Sequence, residues 1–156
     1  MLRREKWGKG VNLYLRRHMK KKAIISLTSF NDLDMDEVIE VVTPGEFFVT
    51  EDGYKAIYEE TELSGMSGTT TTLTMLDDKL ILEREGSISA KMDFKKGETS
   101  ISLYNTPYGV LDLQIHTEEL KVDINENGGE ITAKYSMELS GQPPIINSLS
   151  VNVKIS

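Results

Sequence analysis

Alternation of apolar and polar side chains governs this chain from Ala23 to its end. In SISAKMDF, Ile88, Ala90, Met92 and Phe94 fall on one parity and Ser87, Ser89, Lys91 and Asp93 on the other. The pattern returns in VLDLQIH (Leu111, Leu113, Ile115) and in LKVDI (Leu120, Val122, Ile124). It returns again in ITAKYSMEL, with Ile131, Ala133, Tyr135, Met137 and Leu139, and in LSVNVKI, with Leu149, Val151, Val153 and Ile155. Successive side chains of a strand point to opposite faces, so each segment predicts a strand with one apolar face. Turn residues separate the segments: EDGY at 51–54, LDDK at 76–79, KKGE at 95–98, ENGG at 126–129 and SGQPP at 140–144.

These intervals exclude crossover helices, because parallel neighbours need connections of about a dozen residues or more. Consecutive strands therefore pair antiparallel. The expected fold is all-β, a closed antiparallel up-and-down barrel of about eight to ten strands, since closure removes the exposed edges of a long meander. A two-sheet sandwich is the alternative. FNDLDMDEV at 30–38 is the one long acidic loop, with room for a single helical turn.

Composition removes several kinds of chemistry. The chain has no cysteine, which excludes disulfides, thiolate metal sites and cysteine nucleophiles. His18 and His116 are the two histidines, with no spacing of the HExxH kind, so a metal site or a histidine triad is not expected. No cofactor is expected; a haem would need His116, which alternates away from Leu113 and Ile115. No apolar run approaches the roughly 20 residues of a membrane helix.

Charge divides the chain in two. Residues 1–22 carry a net +8, leaving −15 on residues 23–156 within the overall −7. The acidic body repels phosphate backbones and anionic lipid, so neither nucleic acid nor a membrane is an expected partner. A basic protein is a more compatible one; the same charge resists self-association, so a homodimer would have to form through an exposed strand face. The basic residues 1–22 lack the apolar segment of a secretory signal. They are expected to be disordered or a translated leader before Met19, because Arg16-Arg17 ahead of that methionine can be encoded by a ribosome-binding sequence. An ordered helix is the remaining reading. Trp7 falls here and is given no site role. Residues 23–156 are expected to form one barrel domain.

YEETELSGMSGTTTTLTM, 58–75, is the stretch most suggestive of a site. Glu59 and Glu60 are adjacent, so on a regular strand one of them faces inward. The parity of Tyr54, Ala56 and Tyr58 would carry Glu60 inward; that of Ile57 and Leu63 would carry Glu59. A buried carboxylate needs a partner. Arg84 shares the parity of Leu80 and Leu82 and can supply one from inside the barrel, or it can snorkel to the rim. In the threonine run, Thr69 and Thr71 share a face with Leu73 and Met75, while Thr70, Thr72 and Thr74 take the other. Threonine suits either face of a strand. SGMSG lacks the lysine and helix of a phosphate loop. In YNTPYG, Pro107 sets a turn flanked by Tyr104 and Tyr108, either purely structural or a rim over a cavity mouth. The candidate cavity residues are Tyr58, Glu60, Thr71, Arg84 and Tyr104.

EETEL, GTTTT, TPYG and GQP in this order resemble the YwiB-like family of small bacterial proteins of the calycin type, over about residues 20–156. The resemblance implies a lipocalin-like closed barrel and a cytoplasmic protein of Firmicute-type bacteria. It implies no activity. It places the family pattern's beginning near Met19.

Three functions fit these readings. A small-molecule binding barrel is favoured, by analogy with the fold. A non-catalytic interaction module with a filled barrel is the alternative. An enzyme with Glu60 as general base is weaker, because a neighbouring guanidinium favours the ionised, weakly basic carboxylate.

Overall fold

The computed structural model describes residues 20–33, 38–61 and 65–156. Ten strands appear: β1 (Lys21–Asn31), β2 (Ile39–Val49), β3 (Tyr54–Glu59), β4 (Thr69–Met75), β5 (Leu80–Gly86), β6 (Ala90–Phe94), β7 (Thr99–Thr106), β8 (Gly109–Asn125), β9 (Gly128–Leu139) and β10 (Ile145–Ile155). There is no helix among the described residues, and hence none long and apolar enough to cross a membrane. The leader reading falls on residues outside the described ones, as do residues 34–37 of the stretch 30–38 considered for a helical turn, whose first two residues end β1.

All ten strands belong to one antiparallel sheet, ordered β6-β5-β4-β3-β2-β1-β10-β9-β8-β7. Chain neighbours are sheet neighbours throughout, with one break between β6 and β7. The first and last strands join in the middle, from Ala23–Ile155 to Asn31–Asn147. The sheet curls until β6 and β7 meet. There Ser89 and Asn105 exchange both backbone hydrogen bonds, at 3.0 and 2.8 Å. Next to this bridge, Ser102 Oγ donates to the Lys91 carbonyl at 2.7 Å and Ser100 Oγ to that of Asp93 at 3.3 Å. Two serine hydroxyls thus replace part of the missing ladder. The molecule is a nearly closed ten-stranded barrel, not a sandwich.

VLDLQIH and LKVDI, expected as separate strands, are one strand. Between Thr117 and Glu119 the β8–β9 register shifts by a bulge at Glu118. The cause is written in the parity. Leu113 and Ile115 are odd and Leu120, Val122 and Ile124 even, so one extra residue is needed to keep both sets facing the core.

The interior is unequally filled. At the end carrying the 50–53, 76–79, 95–98 and 126–127 turns, Ile25, Phe47, Leu73, Met75, Leu80 and Phe94 are fully buried and close-packed. About eight strands give a barrel that side chains just fill. Ten leave surplus width, and at the opposite end it remains open space.

Candidate functional site

Three neighbouring strands build the polar floor of this space. Tyr58, Thr71 and Arg84 occupy one rung: Tyr58 pairs with Thr71 across β3–β4, and Thr71 with Arg84 across β4–β5. Cross-strand partners share a face, and here it is the inner one, because Ala56, Leu73 and Leu82 on the adjoining rung are buried. Glu60 lies two residues beyond Tyr58 and points the same way, its N–H bonded to the Thr69 carbonyl at 2.8 Å. The register thus places Glu60 inside and Glu59 outside. Each glutamate has a threonine on its own face: Thr71 Oγ1 donates to Glu60 Oε1 at 2.8 Å, and Thr70 Oγ1 to Glu59 Oε1 at 2.9 Å. Gly45 in β2 permits this approach. A Cβ there would stand 2.8 Å from the Ile57 carbonyl oxygen and 3.2 Å from Tyr58 Cβ.

The floor closes a cavity of about 270 Å³. Leu27, Val41, Leu82, Met92, Leu113 and Leu149 supply apolar wall, and Tyr58, Glu60, Arg84, Tyr104 and Tyr135 supply polar groups. Four of the five residues singled out in the sequence therefore meet in one chamber. Thr71 does not line it. Its side chain has no exposure and its hydroxyl is committed to Glu60, so it acts from behind the carboxylate. Tyr135 was not singled out, although its parity with Ile131, Ala133 and Met137 marks it as inward. Its ring is held edge-on by Phe94, with centroids 4.8 Å apart. Tyr104 lines the chamber, whereas Tyr108, in the same turn, is 99% exposed.

The floor joins opposite charges without a hydrogen bond between them. Arg84 Nε is 4.0 Å from Glu60 Oε1, with side chains 13% and 1% exposed. That is Coulombic contact beyond hydrogen-bond range. Arg84 has taken the inward position and not the rim. Its Nε–H is buried and has no hydrogen-bond partner among the described residues. Burial, and then the Glu60 carboxylate, push the Tyr58 hydroxyl far above the ordinary tyrosine range, against the opposing pull of Arg84. Burial also pushes Tyr135 up, to about 12, with Arg84 again opposing. Both hydroxyls therefore stay protonated near neutral pH. The chamber offers hydroxyl and guanidinium donors inside an apolar wall.

His116 lies on the outer surface, hydrogen-bonded through Nδ1 to Thr99 Oγ1 at 2.8 Å. Among the described residues, no three His, Asp or Glu side chains gather as a metal site would require.

Comparison with known proteins gives this architecture a family. A family model described as "Domain of unknown function (DUF1934)" matches residues 24–151. The chain belongs to this family. A relative, the "Uncharacterized beta-barrel protein YwiB" of Bacillus subtilis (strain 168), is 25% identical over 137 residues, covering 85% of this chain and 94% of that protein. The crystal structure of the B. subtilis ywiB protein superposes with a TM-score of 0.78 at 21% identity, covering 88% of this chain and 94% of the other. At that identity the likeness shows a shared barrel. DUF1934 as a description carries no activity, so the chemistry of the chamber is the remaining guide to function.

Proposed function

We propose that this protein binds a small molecule inside the open end of its barrel and does not transform it. One observation carries the reading: a chamber of about 270 Å³ with apolar walls ends on the buried Glu60–Arg84 pair and is not filled by its own side chains. A small apolar pocket with a few convergent polar groups is the usual form of a ligand site. Binding suits the floor better than proton transfer does. Two of its tyrosines are held protonated, and its carboxylate is engaged by a hydroxyl and a guanidinium.

The test is native mass spectrometry of the full chain purified from its own organism, then denaturing spectrometry of the same sample. A mass excess that disappears on denaturation is the expected result. A bare mass in both spectra turns the reading toward a protein partner. The outer surface of β7 and β8 gives that second reading its support, since Ile101, Leu103 and Val110 are exposed there side by side.

A further inference from the structure

Among the described residues, Arg84, Asp93 and Thr117 each hold a buried polar side-chain atom that makes no hydrogen bond, and of the three Arg84 lines the chamber. Its Nε–H is buried and makes no hydrogen bond among the described residues. Its ion-pair partner, Glu60 Oε1, is 4.0 Å away and already takes the Thr71 hydroxyl at 2.8 Å. A buried donor without an acceptor is costly and rare, and the side chain that carries this one lines the chamber, so a turn of the guanidinium toward that space would let it meet an acceptor from outside the chain. The same floor is balanced in charge. Among the described lining residues, Glu60 and Arg84 are the charged ones, one of each sign. An anion would leave a net negative charge among leucines and methionines, which is expensive. An uncharged acceptor completes the bonding of Arg84 without disturbing that balance.

Size narrows the ligand further. A cavity of about 270 Å³ lies at the small end of the range of ligand pockets, which suits a small molecule. Resting on the binding-barrel reading, we propose that Arg84 recognises, through its Nε–H, the uncharged carbonyl oxygen of a small and otherwise apolar ligand. The carbonyl end meets the floor. The apolar body lies against Leu82, Met92, Leu113 and Leu149.

Acetophenone, benzoate and ethylbenzene separate the alternatives, because they share a ring and differ in carrying a carbonyl, a carboxylate or neither. Each is titrated into the full chain by nuclear magnetic resonance, following the Arg84 Nε–H signal assigned through its own side-chain carbons. Acetophenone is expected to move that signal and to bind about tenfold or more tightly than either other probe, as a hydrogen bond to a charged group predicts. Arg84→Lys keeps a cation beside Glu60 but loses the Nε–H. The lysine ammonium is itself a donor but on a differently shaped head. Acetophenone should therefore weaken severalfold and its effect on the Nε–H signal disappear, while ethylbenzene, which accepts no hydrogen bond, changes less. Circular dichroism confirms that the variant is folded; should it not fold, the three probes and the signal on the unaltered chain decide alone. Equal binding of ethylbenzene and acetophenone overturns the carbonyl inference and leaves the binding barrel standing. Tightest binding by benzoate overturns the requirement for an uncharged ligand. No binding of any probe at millimolar concentration overturns the carbonyl inference, while the binding-barrel reading stands or falls on the native mass spectra.

Discussion

At the scale of single residues, the interior is organised by Glu60 and by what neutralises it. Removing one member of a buried ion pair costs about 3–5 kcal/mol, because the other charge is stranded, whereas removing both costs far less. Arg84→Leu is therefore expected to lower unfolding stability by about 3 kcal/mol. The double variant Glu60→Gln with Arg84→Leu recovers most of that loss, since glutamine still accepts the Thr71 hydroxyl. Urea unfolding of both variants measures the difference, and equal losses would show that the two groups are not coupled. Tyr135 makes a pH-dependent contribution. Its hydroxyl ionises near 10.0 when unfolded and at about 12 when folded. The folded pKa is the higher one, so the contribution is complete below pH 10 and disappears as pH rises toward 12. In that window the unfolded chain releases a proton that the folded chain retains. Tyr135→Phe should flatten the alkaline fall in stability by about 1.4 kcal/mol per pH unit. A slope equal to that of the unaltered protein would contradict the burial argument.

At the scale of elements, β7 reverses the usual polarity of a barrel strand. Ser100 and Ser102 face inward toward the seam, and Ile101 and Leu103 face outward. Register forces this. Thr106 pairs with Gly109 across the short Pro107–Tyr108 turn, which sets Ser100, Ser102 and Tyr104 opposite Ile115, Leu113 and Leu111. Partners share a face, and Leu113 and Ile115 are buried, so their cross-strand partners Ser100 and Ser102 are turned inward with them. The serines then serve the seam through their bonds to the Lys91 and Asp93 carbonyls. Replacing both by alanine should speed amide hydrogen exchange at Ser89 and Asn105 by about tenfold, with a global loss of about 1–2 kcal/mol. Unchanged exchange at those amides would mean that the bridge closes the barrel unaided. Within β7, hydrophobic alternation read alone points to the wrong face, since Ile101 and Leu103 would be taken for core. The bulge in β8 agrees with the change of parity between Ile115 and Leu120, but the sequence alone read those segments as two strands.

At the scale of the whole molecule, residues 23–156 carry a net −15, and among the described residues most charged side chains are exposed. Self-repulsion of this kind weakens the compact state and is screened by salt, with a Debye length of about 8 Å at physiological ionic strength. The thermal midpoint should therefore rise as sodium chloride goes from near zero to physiological concentration. A midpoint that falls would mean that attractive pairs, such as Lys20–Glu46 and Lys95–Glu98, outweigh the repulsion.

Period-two alternation and short polar turns were enough, from sequence, to determine antiparallel strands in consecutive order, and the need to hide edges pointed to a barrel. Adjacent glutamates on a regular strand likewise required a charged group inside, and the parity of Leu80, Leu82 and Arg84 offered a candidate partner. What the sequence left open was which glutamate turns inward, whether Arg84 stays in or reaches the rim, and whether the barrel is full. Tertiary structure decided these, because each depends on pairing between strands and on strand number. The β3–β4–β5 register aligns Tyr58, Thr71 and Arg84 on one inner rung. Ten strands enclose more width than the inward side chains at one end can fill.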